Sequence, residues 1–152
     1  MWRQLSLTVS SARNLAIAKK NYASGPDLTT MAIAATEEVS EAAADLQMYC
    51  EIVIDGVLLG RTALQKGLAE NGTSDMTISW SWHETFTLAD LPPFGVMSVR
   101  VWRHKKGGKP MYVGTVEVVL VHFRRGQAVD GWFPIMYGTQ VGDLRMKLKV
   151  DE

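Results

Sequence analysis

Apolar residues recur at every second position through much of the chain, the period of strands whose side chains point alternately to core and solvent. Leu5, Leu7 and Val9 make the first run, and Cys50, Ile52 and Ile54 the second. The longest is Ile78, Trp80 and Trp82, continued by Phe86 and Leu88. Its centre, Trp82-His83-Glu84-Thr85-Phe86, precedes the stop Leu91-Pro92-Pro93, where a buried tryptophan can anchor a β-sandwich. Val99 and Val101, then Val116, Val118 and Leu120, then Leu144, Met146, Leu148 and Val150 complete the pattern. Asp55-Gly56 is a two-residue hairpin signal, because both central residues of that turn need positive φ, and it joins the second strand to a third over 57–63. With a strand over 131–136 the count is about eight. The expectation is an all-β, eight-stranded antiparallel β-sandwich.

One segment breaks the period. Within 18–46, between the first and second strands, Leu28, Met31, Ala35, Val39, Ala42 and Leu46 recur at helical spacing behind the capping pair Pro26-Asp27. This predicts a helical insert whose outer surface is acidic, with Glu37, Glu38, Glu41 and Asp45. A second stretch, 68–75, holds Asn71-Gly72 and reads as a flexible connecting loop.

A chain of 152 residues is the length of a single domain over 1–152. Sixteen basic and sixteen acidic residues cancel, so no global field draws the chain to nucleic acid, and any electrostatic partner must be met by a local patch. The lone cysteine, Cys50, lies on an apolar strand and reads as a buried free thiol, which favours a reducing compartment. There is no cleavable amino-terminal apolar segment and no uncharged run near the roughly 18 residues of a membrane span. Asn71-Gly72-Thr73 reads as a turn rather than a glycosylation site.

These segments, taken in order, resemble a C2 domain. The motifs that carry the likeness are Met48-Tyr49-Cys50-Glu51-Ile52-Val53-Ile54-Asp55-Gly56, Arg61-Thr62, Trp82 to Phe86, Tyr112-Val113-Gly114, Trp132-Phe133-Pro134 and Leu144-Arg145-Met146-Lys147. The narrower resemblance is to the C2 domain that precedes the catalytic region in Ras GTPase-activating proteins of the synaptic type. It implies the circular permutant in which no strand precedes the first, and a non-catalytic module of a GTPase activator. The arginine finger of such an activator would belong to a helical domain outside these residues.

C2 domains that bind calcium place several aspartates on the loops at one end, because the ion takes roughly six to eight oxygen ligands. Here Gln47 stands where loop one would supply a carboxylate, Met111 where another is expected before Tyr112, and loop three reads Arg103-His104-Lys105-Lys106-Gly107-Gly108-Lys109-Pro110. Asp45 and Asp90 are too few, so no metal and no other cofactor is expected. The same loop suggests anionic phosphates: Arg103, Lys105, Lys106 and Lys109 form a basic tip, with Arg13, Lys19 and Lys20 from loop one at the same end. Phe94, in the loop 91–95, is the candidate for insertion at an interface.

The sequence thus expects a calcium-independent module, peripheral at the inner, cytoplasmic face of an anionic phospholipid membrane. Three other readings stay open. The basic loop can be merely solvated, or capped by the insert's carboxylates. Alternatively the chain is a protein-interaction module whose insert or sandwich face meets the neighbouring catalytic region, a small GTPase or another partner. Catalysis by these residues is not expected: His83, His104 and His122 fall on separate elements, and neither a phosphate-cradling glycine loop nor zinc spacing occurs.

Overall fold

A computed structural model describes residues 3–15, 46–71, 76–92, 95–123 and 126–151. The strands are β1 (Arg3–Arg13), β2 (Gln47–Ile54), β3 (Val57–Arg61), β4 (Gln65–Lys66), β5 (Leu68–Asn71), β6 (Met76–Leu91), β7 (Val96–Arg103), β8 (Met111–Val119), β9 (Ala128–Tyr137) and β10 (Thr139–Asp151), with a 3₁₀ turn at Leu120–His122. Every pairing is antiparallel, in the order β3-β2-β7-β8-β9-β10-β1-β6-β5, and β4 pairs with β2. The join between β8 and β9 is a single pair, Thr115 with Met136, so the sheet divides there into two layers that face each other.

The alternating side chains form the core between those layers. Leu5, Leu7 and Val9 meet Leu144, Met146 and Leu148 from one layer, and Met48, Cys50, Ile52, Met97, Val99 and Val101 oppose them from the other. Trp80 and Trp82 lie among them, and each indole N–H finds an acceptor across the core. Trp80 Nε1 donates to the carbonyl of Leu46 at 2.8 Å and Trp82 Nε1 to that of Met48 at 3.3 Å. A buried indole without such an acceptor would carry an unmet donor, so these bonds fix the start of β2 against β6.

The expected strands all appear, with three local differences. First, β6 runs unbroken for 16 residues through an irregularity at His83 (φ 50), and Trp80, Trp82, Glu84 and Phe86 stay on one side of it. Glu84 there accepts from the N–H of Ala63 at 2.8 Å. Second, the expected loop 68–75 begins as a strand, because β5 pairs with β6 from Leu68–Ser79 to Asn71–Met76. Third, the third strand ends at Arg61 rather than position 63, since Thr62 turns inward to bond Cys50 both ways: Thr62 N–H to the Cys50 carbonyl at 2.9 Å, and Cys50 N–H to Thr62 Oγ1 at 2.8 Å. The Asp55-Gly56 hairpin forms as expected, with φ of 49 and 80. The expected helix falls outside the described residues.

Gly114 shows why the layers close where they do. A Cβ there would lie 2.8 Å from Ile135 Cγ2 and 2.9 Å from the Met136 carbonyl oxygen, so β8 approaches β9 this closely because the position has no side chain. Replacing Trp80 with Ala removes a fully buried side chain and its bond to Leu46. Urea unfolding should show a loss of about 4 kcal/mol, and a loss below about 1 kcal/mol would contradict a central role for this indole.

Candidate functional site

Register places the termini of four strands at one end. Arg13 closes β1, Gln47 opens β2, Arg103 closes β7 and Met111 opens β8, with Met48 paired to Arg103 and Arg103 to Met111. The loop over 104–110 projects from this end, and every residue of it is exposed. His104 N–H donates to the Gln47 carbonyl at 2.8 Å, and Gly108 N–H to the Lys105 carbonyl at 3.2 Å, with Gly107 at φ +75. The loop is therefore a closed turn tied to β2. Among the described residues, Lys105, Lys106 and Lys109 have no ion-pair partner.

The remaining sequence candidates are dispersed. Arg103 is half-buried at the end of β7 rather than on the tip. Arg13 lies on the outer side of the other layer, its guanidinium 3.8 Å from the centre of the Trp132 ring and 3.7 Å from Asp143. Asp143 also accepts from Asn14 Nδ2 at 3.1 Å and Gln140 Nε2 at 2.7 Å. Arg13 is thereby occupied in holding β1 to β10 and β9, and it is not presented with the lysines. Lys19 and Lys20, like the acidic insert positions, fall outside the described residues.

The described residues of the loop 91–95 stand at the pole opposite the lysines. Leu91 pairs with Arg3 at the start of β1, Gly95 N–H donates to the Pro92 carbonyl at 3.1 Å, and Leu120 N–H donates to the Gly95 carbonyl at 3.0 Å. Phe94 itself falls outside the described residues. Asp90 shares that pole. The paired ends of β5 and β6, Asn71 and Met76, also lie at the lysine end, because β6 starts there and runs the full height of the sandwich.

Sequence reasoning missed an aromatic row beside the loop. On the outer side of β2, β7 and β8, Tyr49 is paired with Trp102 and Trp102 with Tyr112. The rings of Trp102 and Tyr112 are 5.2 Å apart, and Tyr112 is 5.6 Å from Tyr137 at the end of β9. Arg61, bonded to Glu51 at 2.7 Å, covers Tyr49 with its guanidinium 5.5 Å from the ring. Burial, then the Glu51 carboxylate, raise the Tyr49 hydroxyl pKa, with Arg61 opposing. Below this row a groove of about 540 Å³ opens along the β8–β9 seam, lined by Thr115, Glu117, Phe133 and Met136. The only sequence signal for the row is the polar-side position of each residue in its strand.

No three His, Cys, Asp or Glu side chains come together among the described residues. His83, His104 and His122 stand apart on β6, the lysine loop and the 3₁₀ turn. Cys50 is fully buried, and desolvation pushes its thiol far above the usual range, opposite to the shift a nucleophile needs.

The sequence profile of the C2 domain family matches residues 3–135. The chain belongs to the C2 domain family. Its fold is similar to a C2 domain of plant extended synaptotagmin 1, with a TM-score of 0.65 at 14% identity, covering 98% of this chain and 94% of that one. Human GIVD cytosolic phospholipase A2 gives a TM-score of 0.63 at 15% identity over 100% of this chain and 17% of its own. By sequence the domain is similar to two Ras GTPase-activating proteins. It is 28% identical over 99 residues to raskol of Drosophila melanogaster, which covers 62% of this chain and 6% of raskol. It is 29% identical over 106 residues to human nGAP, covering 67% of this chain and 8% of nGAP. The domain thus spans less than a tenth of either relative.

Among the described residues no helix is long and apolar enough to cross a membrane. The burial of Cys50 has a direct consequence: the folded domain should consume no thiol reagent over minutes, and one equivalent after denaturation in urea. Rapid reaction of the native domain would show that the core opens at β2.

Proposed function

We propose that this C2 domain holds a Ras GTPase-activating catalytic region at an anionic membrane surface, through charge and without calcium. The carrying observation is the closed turn that presents Lys105, Lys106 and Lys109 to solvent without acidic partners among the described residues, on a domain with no net charge. At about 1 kcal/mol per cation near an acidic leaflet, three lysines contribute about 3 kcal/mol. That is enough for reversible attachment, and weak enough to depend on ionic strength. Three exposed lysines and a histidine make a poor frame for a cation. Asp143, the carboxylate paired with Arg13 at the end of β1, also supports the calcium-free reading, because it is already held by Arg13, Asn14 and Gln140. The link to Ras regulation rests on the likeness to raskol and nGAP.

A protein-interaction role has its own observation. The outer strand β3 and the segments after it expose Val57 (59%), Leu58, Leu59, Leu64 and Leu68 (62%), an apolar border suited to a neighbouring catalytic region or a small GTPase. Co-sedimentation with phosphatidylserine vesicles separates the two. The expected outcome is pelleting at low salt, lost at high salt, unchanged by calcium or chelator, and reduced about a hundredfold in affinity by Lys105→Glu with Lys106→Glu. Absence of pelleting at low salt would remove the membrane role and leave the apolar border as the functional surface.

A further inference from the structure

The β9–β10 hairpin turns at Tyr137 and Gly138, with Gly138 at φ +74 and Tyr137 paired to Thr139. This tip lies beside the start of β8, because Tyr112 is the first ring after the lysine loop and sits 5.6 Å from Tyr137. Trp102, the second-to-last residue of β7, lies on the other flank of Tyr112, the ring centres 5.2 Å apart and the planes tilted by 54°. Three rings therefore run from the strand that launches the lysine loop to the hairpin tip. At that tip Met136 is 41% exposed and Tyr137 56%.

An exposed apolar tip by itself fits any apolar partner. Its neighbours decide the matter. Lys105, Lys106 and Lys109 stand at the same end without acidic partners among the described residues, so a matching surface must be apolar within and negatively charged outside, the profile of an anionic lipid leaflet. Tyrosine suits that boundary, since its ring seeks the apolar layer while its hydroxyl stays at the headgroups. The row behind it is fixed: Tyr112 is braced on both sides, so the tip is already shaped before contact.

We propose that Met136 and Tyr137 form the apolar anchor of this domain, entering the interfacial layer of an anionic lipid surface while the loop lysines hold its phosphates. The anchor rests on the membrane reading above. It differs from the loop 91–95, whose described residues Leu91 and Gly95 stand at the other pole. Because Cys50 is buried, Met136→Cys in the full chain supplies the reactive thiol for an environment-sensitive fluorophore at the tip.

The test uses vesicles of phosphatidylcholine with a minor share of phosphatidylserine. The labelled tip should shift to the blue on binding, and Met136→Ser with Tyr137→Ser should lower affinity about tenfold while low-salt pelleting persists through the lysines. Full affinity in the double variant, or a label that stays in water on bound protein, overturns the anchor and leaves charge-driven docking intact. A chain that binds no anionic vesicle at low salt overturns both.

Discussion

Two indole N–H groups fix where the lysine-bearing end of this domain lies. Trp80 and Trp82 reach from β6 across the core to the carbonyls of Leu46 and Met48, and so pin the first residues of β2 to the opposite layer. Met48 in turn pairs with Arg103, and the carbonyl of Gln47 receives the N–H of His104, which sets the foot of the lysine loop. The position of Lys105, Lys106 and Lys109 is thus inherited, bond by bond, from side chains that never meet solvent. Large apolar area supplies the driving force, and the two indole donors supply the direction.

Part of the charge on the rest of the surface is paired locally, while the exposed Lys147 and Lys149 of β10, like the loop lysines, face no carboxylate among the described residues. Arg61 is bonded to Glu51, Arg145 faces Asp130 at 3.4 Å, and Asp143 is held by Arg13, Asn14 and Gln140. Exposed pairs of this kind contribute little to stability, about 0 to 1 kcal/mol each, but they cancel the field around them. What remains at the loop end is a small positive tip beside an aromatic row. A domain with zero formal charge can therefore still present a local positive patch to an anionic surface.

The strands were legible because period-two alternation reports burial directly: every apolar residue that marked the runs at Leu5 to Val9, Cys50 to Ile54 and Leu144 to Val150 is in the core. Motif order likewise gave the C2 family and the likeness to Ras GTPase activators. The site was read less completely. Loop pole cannot be read from composition, so the loop after Leu91 looked like a neighbour of the lysines although one strand, β7, carries the chain from Gly95 at one pole to the lysine loop at the other. Arg13 looked like a free cation because Trp132 and Asp143, which engage it, are more than a hundred residues away in sequence. Tyr49, Trp102, Tyr112 and Tyr137 escaped notice for a similar reason. They align only when β2, β7, β8 and β9 lie side by side.

The claim at the centre is that the pole carrying 104–110 and the β9–β10 tip is the face that meets lipid. Amide hydrogen exchange of the full chain, free and on phosphatidylserine vesicles, tests it directly. Slowed exchange should be confined to the lysine turn, the start of β8 and the turn at Gly138. Slowing at the Asp55-Gly56 hairpin and around Gly95, with none at the lysine turn, would contradict the account.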